Sequence, residues 1–285
     1  MGGCHDGISL AYPRGRACQT YSAMTPHLRL RVDGAVATLL LDRPDKRNAI
    51  NLEMWAALPG LVTTVESDPA VRALVITSAT PGLFSAGADI AEFPALRSSV
   101  EAGRHYSATI RAGQVAVAGS VLPVIAAISG PCLGGGCGLA LACDLRIADA
   151  SARLGIPAAR LGVIYSLPST KRLMDVVGAP WAKQLLLTGD PVDAATALRI
   201  GLVNEVTPPE ELAARAWAIA TRIAAGVPHS VRSSKRFVNQ VLSGQVADDE
   251  RCQALYDASY VADAYQAGVD GFLTKASRSG RPGQP

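Results

Sequence analysis

The 285 residues, 49% hydrophobic and 18% charged, suit one large α/β domain or a domain with a helical appendage, and they bury a core without needing disulfides. A formal charge of +3 at pH 7, with no basic run or aromatic-interleaved patch, argues against nucleic-acid and membrane-surface binding. No apolar run reaches the roughly 18 residues of a membrane span.

Residues 1–27 carry Arg14 and Arg16 beside one acid, Asp6, and lack both a secretory apolar segment and an Arg-rich amphipathic helix. They read as a disordered extension, or as residues ahead of a natural start at Met24. Leu28 to Val32 and Ala35 to Leu41 read as paired strands around Asp33-Gly34. Asn51 is placed to cap a helix running to about Ser67, which Pro59 and Gly60 are expected to kink or interrupt. Ala73 to Thr77 is a buried strand, followed by a loop and a short helix from Asp89. A longer helix spans Val100 to Ala118, weakened by Gly103 and Gly113. Pro123 to Ile128 is a further strand, feeding the Gly134–Gly136 turn and a buried helix to about Cys143. Leu145 to Ile147 and Ala152 to Gly155 are short strands. From Thr170 the periodicity is helical, through Leu242 and again over Asp249 to Lys275. Alternating strands and helices predict βαβ units with parallel pairing. Four segments result: the extension 1–27, an α/β core 28–205, a C-terminal helical region 206–275, and a Gly/Pro/Arg-rich disordered tail 276–285.

Two small-residue loops carry the chemistry, Phe84-Ser85-Ala86-Gly87-Ala88-Asp89-Ile90 and Gly130 through Ala140 with its Gly134-Gly135-Gly136 turn. Each enters a helix, where unpaired backbone N–H groups can point at one oxygen. Two donors converging on a thioester carbonyl stabilise an enolate, the high-energy species of acyl-CoA chemistry. Taken alone, the glycines read first as allowing close helix–strand packing. Cys4, Cys18, Cys132, Cys137, Cys143 and Cys252 contain no Cys-x-x-Cys pair, and the expectation is reduced thiols in a cytoplasmic protein without a metal.

Five motifs in order, Leu41 to Ile50, Phe84 to Ile90, Gly134 to Cys137, Cys143 to Ala148 and Gly201 to Val206, resemble the crotonase (enoyl-CoA hydratase/isomerase) superfamily from about Leu28 to Lys275. The resemblance implies a crotonase-like spiral of ββα units, a C-terminal helical region that trimerises, and trimers that pair into hexamers. It implies a role in fatty acid metabolism and an acyl-CoA ligand, with coenzyme A as part of the substrate and no other cofactor. By matching position, Ala88 and Gly135 supply the oxyanion-hole amides. Ala86, Gly87, Asp89 and Ile90 line the bound ester, Lys46, Arg47 and Ala49 meet the nucleotide end of CoA, and Phe272 and Lys275 reach the adenine region.

The sequence departs from that pattern where hydratases of the family carry two glutamates: here those positions are Gly138 and Ala158. Neither residue titrates, and each general acid–base group contributes on the order of a hundredfold to ten-thousandfold. Hydration is therefore expected to be inefficient, and single-glutamate isomerisation suffers too. The run Leu161-Gly162-Val163-Ile164-Tyr165-Ser166 is similar to the Leu-Gly-x-x-Tyr arrangement of methylmalonyl-CoA decarboxylase-like members, although Ala88 stands where those often carry histidine. Loss of CO2 generates the enolate without a base, and Tyr165 would orient the carboxylate or protonate the enolate. Alternatively Tyr165 simply closes the pocket. His105, Arg160 and Ser166 are weaker polar candidates, for acid–base work, an acidic acyl group and a nucleophile respectively. Two functions follow: a lyase or isomerase acting on an acyl-CoA, with decarboxylation of a malonyl-type ester preferred, or a non-catalytic acyl-CoA-binding protein.

Overall fold

The computed structural model describes residues 18–278, with side chains from Thr25 to Thr274. Strands β1 (Cys18–Thr25), β2 (Leu28–Asp33) and β3 (Val36–Leu41) form an antiparallel meander. The expectation of disorder across 1–27 is corrected for residues 18–25, which pair with β2 from Cys18 opposite Asp33 and so cover an edge that would otherwise be open. Residues 1–17 and 279–285 lie outside the described residues, and the expected disordered tail is helical over 276–278.

Asn51 accepts a hydrogen bond from Met54 N and opens α1 (Leu52–Ser67). Pro59 and Gly60 do not interrupt α1, which runs unbroken through them. Proline removes only the amide that would have reached the Trp55 carbonyl, and α1 buries Trp55, Leu58, Leu61 and Val62 along one face. Strand β4 (Ala73–Ser78), the short α2 (Phe93–Leu96) and the long α3 (Val100–Gly119) follow. Then come β5 (Val124–Ile128), β6 (Pro131–Leu133), α4 (Gly135–Ala142), β7 (Leu145–Asp149) and β8 (Arg153–Gly155). The region expected to be wholly helical contains two further strands: α5 (Leu167–Thr188), β9 (Val192–Asp193), α6 (Ala194–Arg199), β10 (Glu205–Thr207) and α7 (Leu212–Ala224). Strands of two or three residues are too short to register a period-two pattern.

The main sheet runs β1-β2-β3-β4-β5-β7-β10, parallel from β3 onward, and β6-β8-β9 form a smaller sheet. Every residue of β3, β4 and β5 is buried, as strands covered on both faces must be. One face packs α1 and α4 in a core centred on Trp55, Leu58, Leu74, Ile76 and Leu139. The other face takes Leu212, Ala216, Ala220 and Ala224 of α7 against Val75, Ile125 and Ile147.

Two compact units divide after Ala225, so α7 belongs with the sheet although the sequence reading grouped it with the C-terminal helices. The second unit contains α8 (Pro228–Leu242), α9 (Glu250–Tyr260) and α10 (Asp263–Arg278). Among the described residues no helix is long and apolar enough to cross a membrane. Cys132, Cys137, Cys143 and Cys252 are buried and not joined in disulfides among the described residues.

Candidate active site

Because β4 and β5 are parallel neighbours, the loops that leave their carboxyl ends emerge on the same edge of the sheet. The first loop is held by the segment 43–50. Ala86 N donates to Arg47 O (3.0 Å), Ile50 N to Gly87 O (2.7 Å) and Asp89 N to Ile50 O (3.1 Å). Asn48 Nδ2 donates to Phe84 O (3.1 Å), and Ser85 Oγ donates to Asn48 O (2.7 Å). Left-handed Arg47 (φ 50°) and Asn48 (φ 51°) make the turn that allows this lacing. The second loop crosses to β6 and turns into α4 at Gly134 (φ 49°), whose N–H is taken by Gly155 O (2.8 Å).

The two loops meet closely because glycines remove the side chains that would part them. A Cβ on Gly87 would lie 3.0 Å from Leu133 O, and one on Gly135 would lie 3.2 Å from Ala88 N. At the junction the amides of Ala88 and Gly135 make no hydrogen bond among the described residues. Gly135 is also the first residue of α4, so its amide belongs to the positive end of that helix.

These amides open into a cavity of about 200 Å³ lined by both loops, by Tyr106, Ile110 and Gln114 of α3, and by the segment Ile156 to Ser166. Its wall includes Arg97, stacked 4.0 Å from the Phe93 ring centroid, and Arg111; among the described residues no Asp, Glu or His lines it. The hydroxyls of Tyr106 and Tyr165 are buried without a hydrogen-bond partner. Burial raises both phenols above their ordinary value, Tyr165 strongly, so both are protonated donors at neutral pH. Gly138, one turn beyond Gly135, is buried and does not itself line the cavity, but it backs onto two residues that do. A Cβ there would come within 2.6 Å of Gln114 Nε2 and 3.4 Å of Tyr165 Oη.

The structure thus brings Ala88, Gly135 and Tyr165 into one cleft with Ala86, Gly87 and Ile90, and sets Lys46, Arg47 and Ala49 beside the first loop. Asp89 stands apart in kind. Its carboxylate takes Arg43 Nη1 at 2.6 Å and caps Ala91 N at 3.1 Å, leaving it a structural part of the loop. Burial alone would raise its pKa, but the Arg43 and Ala91 hydrogen bonds and the Arg43 charge outweigh that and hold it low. Phe272 and Lys275 lie on α10 in the second unit, Phe272 exposed and Lys275 with its side chain outside the described residues.

Of the weaker candidates, Arg160 is paired with Asp190, His105 is exposed and does not line the cleft, and Ser166 caps α5. Glu92 accepts from Leu52 N at the start of α1 (2.9 Å). Sequence reasoning missed Gln114 and Ser169. The signal for Gln114 was its place in the series Tyr106, Ile110, Gln114, Val117, a polar residue on an apolar helical face.

The family profile described as enoyl-CoA hydratase/isomerase matches residues 31–279. The chain belongs to the enoyl-CoA hydratase/isomerase family. Over 250 residues it is 38% identical to the crotonyl-CoA hydratase of Syntrophomonas wolfei, covering 86% of this chain and 94% of that protein. A short-chain-enoyl-CoA hydratase of Clostridium acetobutylicum is 39% identical over 74% of this chain and 80% of its own. The crystal structure of an enoyl-CoA hydratase/carnithine racemase from Magnetospirillum magneticum superposes with a TM-score of 0.84 at 33% identity, covering 88% of this chain and 94% of that one. Together these give this member of the family its crotonase fold.

Proposed function

We propose that the protein is an acyl-CoA enzyme that works through an enolate held by the amides of Ala88 and Gly135, and that its reaction is decarboxylation of a malonyl-type thioester. Family membership and relatives named as enoyl-CoA hydratases support the thioester substrate. The observation that carries the reaction is the composition of the cleft: two unpaired amides and buried phenols, with no carboxylate or imidazole among the lining residues.

Water addition needs a base to deprotonate water and an acid to protonate the α-carbon. Gly138 and Ala158 provide neither, and the cleft offers no carboxylate in their place. Decarboxylation has a smaller requirement. The bond between the α-carbon and the carboxylate breaks, CO2 departs, and the electron pair moves into the thioester as an enolate whose oxygen accepts from both amides. A proton from the Tyr165 hydroxyl, or from water it positions, reaches the α-carbon, and solvent restores the phenol. The same scarcity of titratable groups supports a second reading, a protein that binds acyl-CoA without converting it.

Incubating the purified protein with malonyl-, methylmalonyl- and crotonyl-CoA, with products followed by mass, separates these readings. Turnover of a malonyl-type ester, lost in Tyr165→Phe, is the expected result. Tight binding without conversion supports the second reading, and rapid crotonyl-CoA hydration overturns the first.

A further inference from the structure

We propose that the Gln114 amide is the specificity element of the cleft, using the space opened by Gly138 to select acyl-CoA thioesters that carry a carboxylate on the α-carbon. This inference rests on the reading above, because it names what recognises the leaving carboxylate. Gln114 is 5% exposed on the inner face of α3, and a Cβ at Gly138 would lie 2.6 Å from its Nε2, so a side chain there would displace the amide. Glycine at 138 and glutamine at 114 therefore form one arrangement, in which an amide occupies the position from which a side chain on α4 would otherwise project.

The amide is oriented as well as placed. Ser166 Oγ accepts from Ser169 N and donates to Ser169 Oγ (2.9 Å), and Ser169 Oγ donates to Gln114 Oε1 (3.1 Å). This relay uses the carbonyl end of the side chain and presents the NH2 group beside Gly138, where it makes no hydrogen bond among the described residues. The Tyr165 hydroxyl, also unpartnered, lies near the same glycine. Both residues line the cavity, so two neutral donors stand close together in a wall that also carries Arg97 and Arg111, with no acid among its described residues. A carboxylate satisfies both donors, whereas an alkyl group leaves them buried and unpaired. Glutamine does not ionise, so its role is to bind and orient the group, not to transfer a proton.

The test compares two CoA analogues in which N–H replaces the thioester sulphur, so that the amide carbonyl resists decarboxylation: a malonyl form and an isovaleryl form of similar shape without charge. Isothermal titration of the full-length protein is expected to favour the malonyl form by about tenfold or more, the scale of a hydrogen bond to a charged group. Gln114→Leu brings the two affinities to within about twofold, weakening the malonyl form while isovaleryl affinity is retained or improved and reports an intact cleft, and Gln114→Glu reverses the preference. Ser169→Ala, which keeps Gln114 but frees its amide, gives a partial loss. The proposal is overturned if wild type shows no preference, if the preference survives Gln114→Leu, or if both analogues weaken together in all three variants. A Gln114-dependent preference without CO2 release from malonyl-CoA leaves this inference standing and removes the decarboxylase reading.

Discussion

At the scale of single residues, the cleft is defined by groups that do not titrate near neutrality. Burial raises the Tyr165 phenol above its ordinary value, so its protonated form persists below and through pH 10, and a donor role loses strength only as pH rises past the folded value. We therefore predict that kcat/KM for a malonyl-type ester is flat between pH 6 and 9; a falling limb in that range would assign the proton to another group. Tyr165→Phe should cost on the order of a hundredfold in kcat, measured alongside thermal unfolding to show that the fold survives. Asp89 behaves oppositely. Its carboxyl is held below the ordinary value, so the stability it adds is complete above the unfolded value of about 4 and disappears as pH falls through the folded one. Asp89→Asn should destabilise the protein at pH 7, because Arg43 loses a buried partner, and should flatten the acid limb of stability against pH. Equal acid sensitivity in wild type and variant, followed by circular dichroism, would place the linkage elsewhere.

Elements are positioned by glycines whose roles only the contacts reveal. In sequence Gly113 merely weakens a helix, and Pro59 marks a helix break. In three dimensions they share one crossing: a Cβ on Gly113 would lie 2.9 Å from the Trp55 carbonyl, the group that Pro59 leaves without its helical amide. Gly113→Ala gains up to about 1 kcal/mol of helix propensity, but overpacking against backbone costs about 1–3 kcal/mol. A net loss in denaturant unfolding is expected, and a gain would show that α1 can shift freely. Gly130 is less forgiving. It is left-handed (φ 65°), and a Cβ there would lie 1.9 Å from Gly82 O, so Gly130→Ala should cost more than about 3 kcal/mol and disturb the loop that delivers Gly135. The loops themselves were legible because Gly-rich runs before helices have a local meaning. Gln114 was not, because it packs where Gly138 lacks a side chain, and an absent side chain leaves no mark in a periodic pattern.

At the scale of the whole molecule, the sequence pattern located the parallel core and the site it supports, since β3, β4 and β5 are long enough to reveal themselves. It placed the boundary of the helical region too early because the three-residue β10 hides in helical surroundings and α7 is amphipathic like its successors. The second unit also presents apolar residues to solvent. Tyr265, Val269, Phe272 and Leu273 follow helical spacing on α10, and all four are exposed, Phe272 at 73%. Burying a side chain such as Phe or Leu is worth about 1.5–3 kcal/mol, so a stripe of this kind favours association with further copies, and the resemblance to the crotonase superfamily implies a trimer. We predict that sedimentation velocity of the intact chain gives a trimer or a dimer of trimers, and that Phe272→Asp combined with Leu273→Asp shifts it toward monomer without unfolding the sheet. A monomeric wild type at micromolar concentration would refute the association, and an unchanged assembly in the double variant would exclude this stripe as its interface.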